Sequence, residues 1–133
     1  MKVAATLLLL TLAPSAGLAE GPVMTADEFD AASQGKTMTW SDFGVVYGIE
    51  EYLPGRRVRW ALSADLCQTG RWYPMGDAIC FAYDGNPDQY CWTIRQSGDG
   101  LLAFDTAEPP DRAPVEIMPT DQPLTCTGPD VGV

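Results

Sequence analysis

Two short segments constrain this chain more than anything else in it. Ile79-Cys80-Phe81-Ala82-Tyr83 and Tyr90-Cys91-Trp92-Thr93-Ile94 flank Asp84-Gly85-Asn86-Pro87-Asp88, a strong turn composition. Successive side chains of a strand point to opposite faces. If Ile79, Phe81 and Tyr83 face a core, Cys80 faces away from it. The same parity sets Tyr90, Trp92 and Ile94 inward and Cys91 outward. Placing Cys80 opposite Cys91 then puts Ile79 opposite Trp92 and Phe81 opposite Tyr90. One register satisfies both a bridge and a core face. Cys67 and Cys126 follow by elimination and would fasten the C-terminal tail. Four cysteines allow three pairings, and the other two stay open on sequence grounds. A four-thiolate zinc site would want Cys-x-x-Cys knuckles, and the chain has none.

An even cysteine count reads as disulfides when the chain is exported, and the N-terminus has that look. Met1-Lys2 is a short positive start, Val3 to Ala13 an apolar run, and Pro14 to Ala19 a small-residue segment suited to cleavage after Ala19. The run is shorter than the ~20 residues of a spanning helix. Residues 1–19 therefore read as a signal peptide and 20–133 as one disulfide-stapled β-rich domain in the periplasm. No second apolar stretch of spanning length follows, so no membrane span is expected after signal removal. At 133 residues the chain has one-domain length.

Composition removes several functions. The chain has no histidine, so Ser-His-Asp and Cys-His sites are excluded within it. Lys and Arg number 8 against 18 Asp and Glu, a formal charge of −10. That balance argues against a nucleic-acid partner, which needs a basic face. At 46% hydrophobic and 20% charged the chain can build a core.

Along the chain, Thr25 reads as an N-cap and Glu28 completes a capping box. Met24 and Phe29 stand at staple positions, and Gly35 at a C′ stop. These predict one helix over Ala26 to Ser33. The rest reads as short strands: Thr37 to Trp40, Val45 to Leu53 with Val45, Tyr47 and Ile49 on one face, and Arg57 to Leu66. In the last, Val58, Trp60, Leu62 and Ala64 alternate with Arg57, Arg59, Ala61 and Ser63. Cys67 to Gly70 reads as a turn, and Arg71 to Tyr73 as a short strand limited by Pro74 to an edge or an end. The two cysteine strands, Leu101 to Asp105 and Val115 to Met118 complete the set. The expected fold is mainly β: an N-terminal helix, then an antiparallel meander that packs on the helix or curls into a small calycin-like barrel.

The chain also resembles a group of proteins. The marks are Met24-Thr25-Ala26-Asp27-Glu28-Phe29, Gly35-Lys36-Thr37, Gly48-Ile49-Glu50-Glu51-Tyr52, Gly70-Arg71-Trp72-Tyr73, Ile79-Cys80-Phe81 and Cys91-Trp92-Thr93-Ile94. Together they resemble small exported alphaproteobacterial proteins of uncharacterised function. The resemblance implies export and a β-rich domain. It brings no catalytic residue, cofactor or metal ligand.

Candidate sites are few. Asp84, Asn86 and Asp88 have the oxygen spacing of half an EF-hand loop, but its glycine and glutamate positions hold Gln89 and Arg95. They read as a polar hairpin tip. Adjacent Glu50 and Glu51 on a strand point to opposite faces and cannot form a dyad. Each would need a distant partner such as Asp65 or Asp77 for two-carboxylate hydrolysis. Arg57 and Arg59 share a strand face and read as partners of Glu50 and Glu51, or as an anion site. Trp72 and Tyr73 are adjacent, so one ring should point outward, and these two with Arg57 and Arg59 form the candidate partner or ligand surface. The functional expectation is a non-enzymatic binding or accessory protein with a protein or small-molecule partner. A calycin-like carrier of a small apolar ligand and a small carboxylate hydrolase are the alternatives.

Overall fold

The computed structural model describes residues 20–62 and 66–126. The signal-like segment 1–19 and Ser63, Ala64 and Asp65 lie outside the described residues. Helix α1 spans Ala26–Ser33, and eight strands follow: β1 Thr37–Asp42, β2 Val45–Leu53, β3 Arg57–Ala61, β4 Cys67–Met75, β5 Ala78–Tyr83, β6 Gln89–Ser97, β7 Gly100–Asp105 and β8 Val115–Pro119. Each strand pairs antiparallel with the next, and β1 pairs with β8 from Met38↔Pro119 to Ser41↔Glu116. The meander therefore closes into a barrel.

The helix forms where its cap predicts. Thr25 Oγ1 accepts from the Glu28 amide at 3.2 Å, and Glu28 Oε2 accepts from the Thr25 amide at 2.8 Å. Gly35 takes φ +78 just past the helix, a conformation that favours glycine. The helix closes one end of the barrel. Phe29 is fully buried and meets Trp72, Tyr52 and Phe81 edge-on at 5.0, 5.7 and 6.3 Å. The segment before it also fills a gap. β5 pairs with β6 only as far as Ile79↔Trp92. The later part of β6 receives Gly21 and Met24 instead, whose amides donate to Gln96 and Ile94 carbonyls at 3.0 and 2.7 Å.

The cysteine hairpin has the register read from parity: Ile79↔Trp92, Cys80↔Cys91 and Phe81↔Tyr90. Both bridges, Cys80–Cys91 and Cys67–Cys126, are formed. Two bridged pairs suit an oxidising, exported compartment. Cys80, on the outer face, is nevertheless buried, because Tyr73 and Cys91 flank it across the strands. Among the described residues, no helix is long and apolar enough to cross a membrane.

Three sequence expectations need correction. Cys67 to Gly70 is not a turn but the first half of β4, while Pro74 does sit at an edge, next to the end of that strand. Pro74 is tolerated because β3 starts at Arg57, opposite Arg71, so β4 beyond that point pairs only with β5. β3 pairing stops at Ala61, not Leu66, and Leu62 is exposed at the barrel rim. On β2 the inward parity belongs to Gly48, Glu50 and Tyr52, all buried, while Ile49 is only partly so. The cause is a bulge. Trp40 pairs with Gly48 and Ser41 with Val46, so Tyr47 is the extra residue.

Candidate functional site

In a meander, successive turns alternate between the two ends of a barrel. The helix end carries the β2–β3, β4–β5 and β6–β7 turns. The other end carries the β1–β2, β3–β4, β5–β6 and β7–β8 connections, and there the barrel is open. A cavity of about 280 Å³ enters from this side.

Seven aromatic rings line it. Trp40 is central: it meets Trp92, Phe81 and Trp60 at 5.3, 5.8 and 5.9 Å, the last two near perpendicular. Tyr47 stands 5.8 Å from Trp60, and Tyr83 lies 6.3 Å from Tyr90 at the mouth. Two glycines make room for this lining. A Cβ on Gly48 would sit 2.1 Å from the Trp60 ring, and one on Gly70 2.4 Å from the Ala82 carbonyl and 2.9 Å from the Tyr83 ring. The bulge does the rest, because Tyr47, on the outward parity, turns into the cavity where the β1–β2 register slips.

Among the described residues, Glu50 is the single acidic residue of the lining, and no Lys or Arg accompanies it. Its side chain is 1% exposed. It lies between Met38 and Trp60 on the neighbouring strands. Its carboxyl is held by Tyr83, whose hydroxyl is 3.0 Å from Oε1 and 2.9 Å from Oε2. Burial pushes the Glu50 carboxyl well above the usual carboxylate range, and the Tyr83 bond offsets that only in part. The phenols respond to the same surroundings. Tyr47 is raised to about 12, by burial first and then by the charges of Asp42, Glu50 and Asp105. Tyr52 and Tyr83 are likewise raised, by burial and then by Glu50. Tyr52 is tied in from below, its hydroxyl accepting from Trp40 Nε1 at 3.3 Å. The result is a buried carboxyl and its tyrosine set in an aromatic wall, a common composition for a small-molecule site: mostly apolar, with few polar groups.

The residues singled out from sequence lie elsewhere. Trp72 is buried at the helix end, with the Arg56 guanidinium 4.7 Å from its ring centre. Tyr73 is on the outer face, half-buried, its hydroxyl bonded to Gln89 Oε1. These neighbours therefore face opposite sides of the sheet. Arg59 pairs with Glu51 at 2.6 Å, while Arg57 is exposed and donates to the Pro54 carbonyl at 3.4 Å. The expected cross-strand partnership thus holds for Glu51 and not for Glu50, which is inside the barrel. The polar hairpin tip is held from within and from β4: Asn86 Oδ1 accepts from the Asp88 amide at 2.9 Å, and Thr69 Oγ1 of β4 donates to Asp84 at 2.7 Å.

Sequence reasoning named Glu50 as an arginine partner or a lone carboxylate and missed its place inside the barrel against Tyr83. Its signal was present as Gly48-x-Glu50-x-Tyr52, a period-two set continuous with the aromatic strands. Apolar Val45 and Ile49 drew the inward face to the other parity instead. No protein-family model matches this chain, nor does any curated protein or any solved structure.

Proposed function

We propose that this chain is an exported, periplasmic, non-enzymatic binding protein that takes a small, flat, largely apolar molecule into the open end of its barrel, in the manner of a calycin-like carrier. The observation that carries the reading is the ring-lined cavity around Glu50 and Tyr83. Its apolar wall supplies affinity by desolvation, and the single polar pair supplies orientation. A cavity of about 280 Å³ suits a ligand smaller than a typical drug. The two-carboxylate hydrolase is less well supported. Among the described residues the cavity holds one carboxyl, whereas that chemistry needs two with separated titrations.

One observation favours a second occupant of the same end. Phe43, Leu62 and Leu66 are 78%, 69% and 76% exposed, and all three belong to connections at the open end. Such a rim suits a protein partner that delivers or receives the ligand. The test is native mass spectrometry of the unreduced protein purified from the periplasm of its own cells. An organic adduct that leaves on unfolding is expected. Bare protein whose tryptophan emission responds to no small aromatic molecule contradicts the reading.

A further inference from the structure

The cavity combines two features that point to the charge of its ligand. The first is an aromatic wall supplied from several sides: Trp40 from β1, Tyr47 from β2, Trp60 from β3, Tyr83 from β5 and Trp92 from β6. The faces of such rings carry negative potential and attract cations held within about 6 Å. The second is a carboxyl at 1% exposure with no cationic side chain, among the described residues, in the lining to neutralise it. Buried carboxyls are ordinarily paired, and this one has only a neutral phenol. An apolar site meant for a neutral ligand would do better with an amide or an aliphatic side chain there.

We infer that the ligand is a small organic cation, a quaternary or alkylated amine with an apolar body, whose charged head sits among the tryptophan faces and pairs with Glu50. The inference rests on the binding function proposed above and names its ligand class. In the empty barrel, burial favours the protonated form of Glu50. When the cation enters, the carboxyl gives its proton to solvent and the ion pair forms in place of an isolated buried charge. The titratable groups facing Glu50 are the phenols of Tyr47, Tyr52 and Tyr83, and from the neighbouring strands it meets Met38 and Trp60, which do not titrate. Binding should therefore tighten as pH rises above the ordinary carboxylate range, where the phenols stay neutral. Glu51 cannot supply the charge, being on the outer face and paired with Arg59.

The test compares phenyltrimethylammonium with tert-butylbenzene, its uncharged carbon isostere. Each is titrated into the full disulfide-bonded protein at pH 8, with tryptophan emission as the readout. The cation is expected to bind tighter by on the order of tenfold or more. Glu50→Gln is expected to bring the two affinities together. The cation-to-isostere ratio of the unaltered protein decides the matter even if that variant folds poorly. Equal or tighter binding of tert-butylbenzene overturns the inference and leaves the proposed binding function standing. Binding of neither probe removes both. A preference that survives intact in a folded Glu50→Gln protein also overturns it.

Discussion

Replacing Glu50 with Gln should make the protein more stable at neutral pH, and the gain should depend on pH in a defined way. The folded carboxyl titrates well above its ordinary value of 4.5 because it is buried without a cation. Below pH 4.5 both folded and unfolded chains hold the proton, and Glu50 adds no slope. Above it the unfolded chain releases the proton while the folded chain keeps it. Stability then falls as pH rises, by about 1.4 kcal/mol per unit, until the folded carboxyl itself ionises. The accumulated loss grows with how far burial lifts the folded carboxyl above its ordinary value. Gln has nearly the same shape, no proton to lose, and an amide that can bond the Tyr83 hydroxyl. Urea unfolding followed by tryptophan emission at intervals from pH 4 to pH 8 reads the effect. The difference between the two proteins is the quantity to plot, since the other carboxylates cancel in it. The variant should gain steadily on the parent above pH 4.5. The raised phenols add slope only from about pH 10, so they do not interfere. A flat difference, or a parent that gains on the variant with rising pH, would refute the reasoning.

Other perturbations test the parts around this centre. Gly48→Ala drives a Cβ into the Trp60 ring, so it should cost about 1–3 kcal/mol and shift tryptophan emission as the wall rearranges. Phe29→Ala removes the ring on which the helix closes the barrel. It should cost about 3–5 kcal/mol in thermal or urea unfolding while the Cys80–Cys91 hairpin stays bridged. The two disulfides span 59 and 11 residues. Chain-entropy reasoning therefore gives about 4 kcal/mol for Cys67–Cys126 and about 3 kcal/mol for Cys80–Cys91, measurable as paired Cys→Ala variants in urea. Arg59→Ala should lower stability by no more than about 1 kcal/mol, because its ion pair with Glu51 is partly solvated.

What could be read from the sequence was local. The Cys80–Cys91 register follows from period-two parity across a short turn, and α1 follows from Thr25 and Glu28 within one helical turn. Closure was not legible, because it requires β1 and β8, far apart in sequence, to meet with a particular shear. Nor was the length of β4, since Cys67 to Gly70 reads as a turn until β3 is seen pairing along it. Glu50 was hidden by a single inserted residue. The bulge at Tyr47 moves one aromatic side chain from the outward parity into the cavity, and a strict alternation cannot represent that. The ring-lined cavity was legible only as an excess of Trp and Tyr on inward positions. Its empty centre depends on Gly48 and Gly70, whose role appears only once Trp60 and Tyr83 are seen lying over them.

The most direct test of ligand binding inside the open end uses the four tryptophans as reporters. Trp40, Trp60 and Trp92 line the cavity, while Trp72 packs against Phe29 at the closed end. An indole 15N–1H correlation spectrum resolves one signal for each, assigned by single Trp→Phe variants. On titration with phenyltrimethylammonium and, separately, tert-butylbenzene, the expected result is saturable movement of the Trp40, Trp60 and Trp92 signals with Trp72 nearly still. Four signals unmoved by either probe, or Trp72 moving as far as the others, would contradict a ligand site in the open end of the barrel.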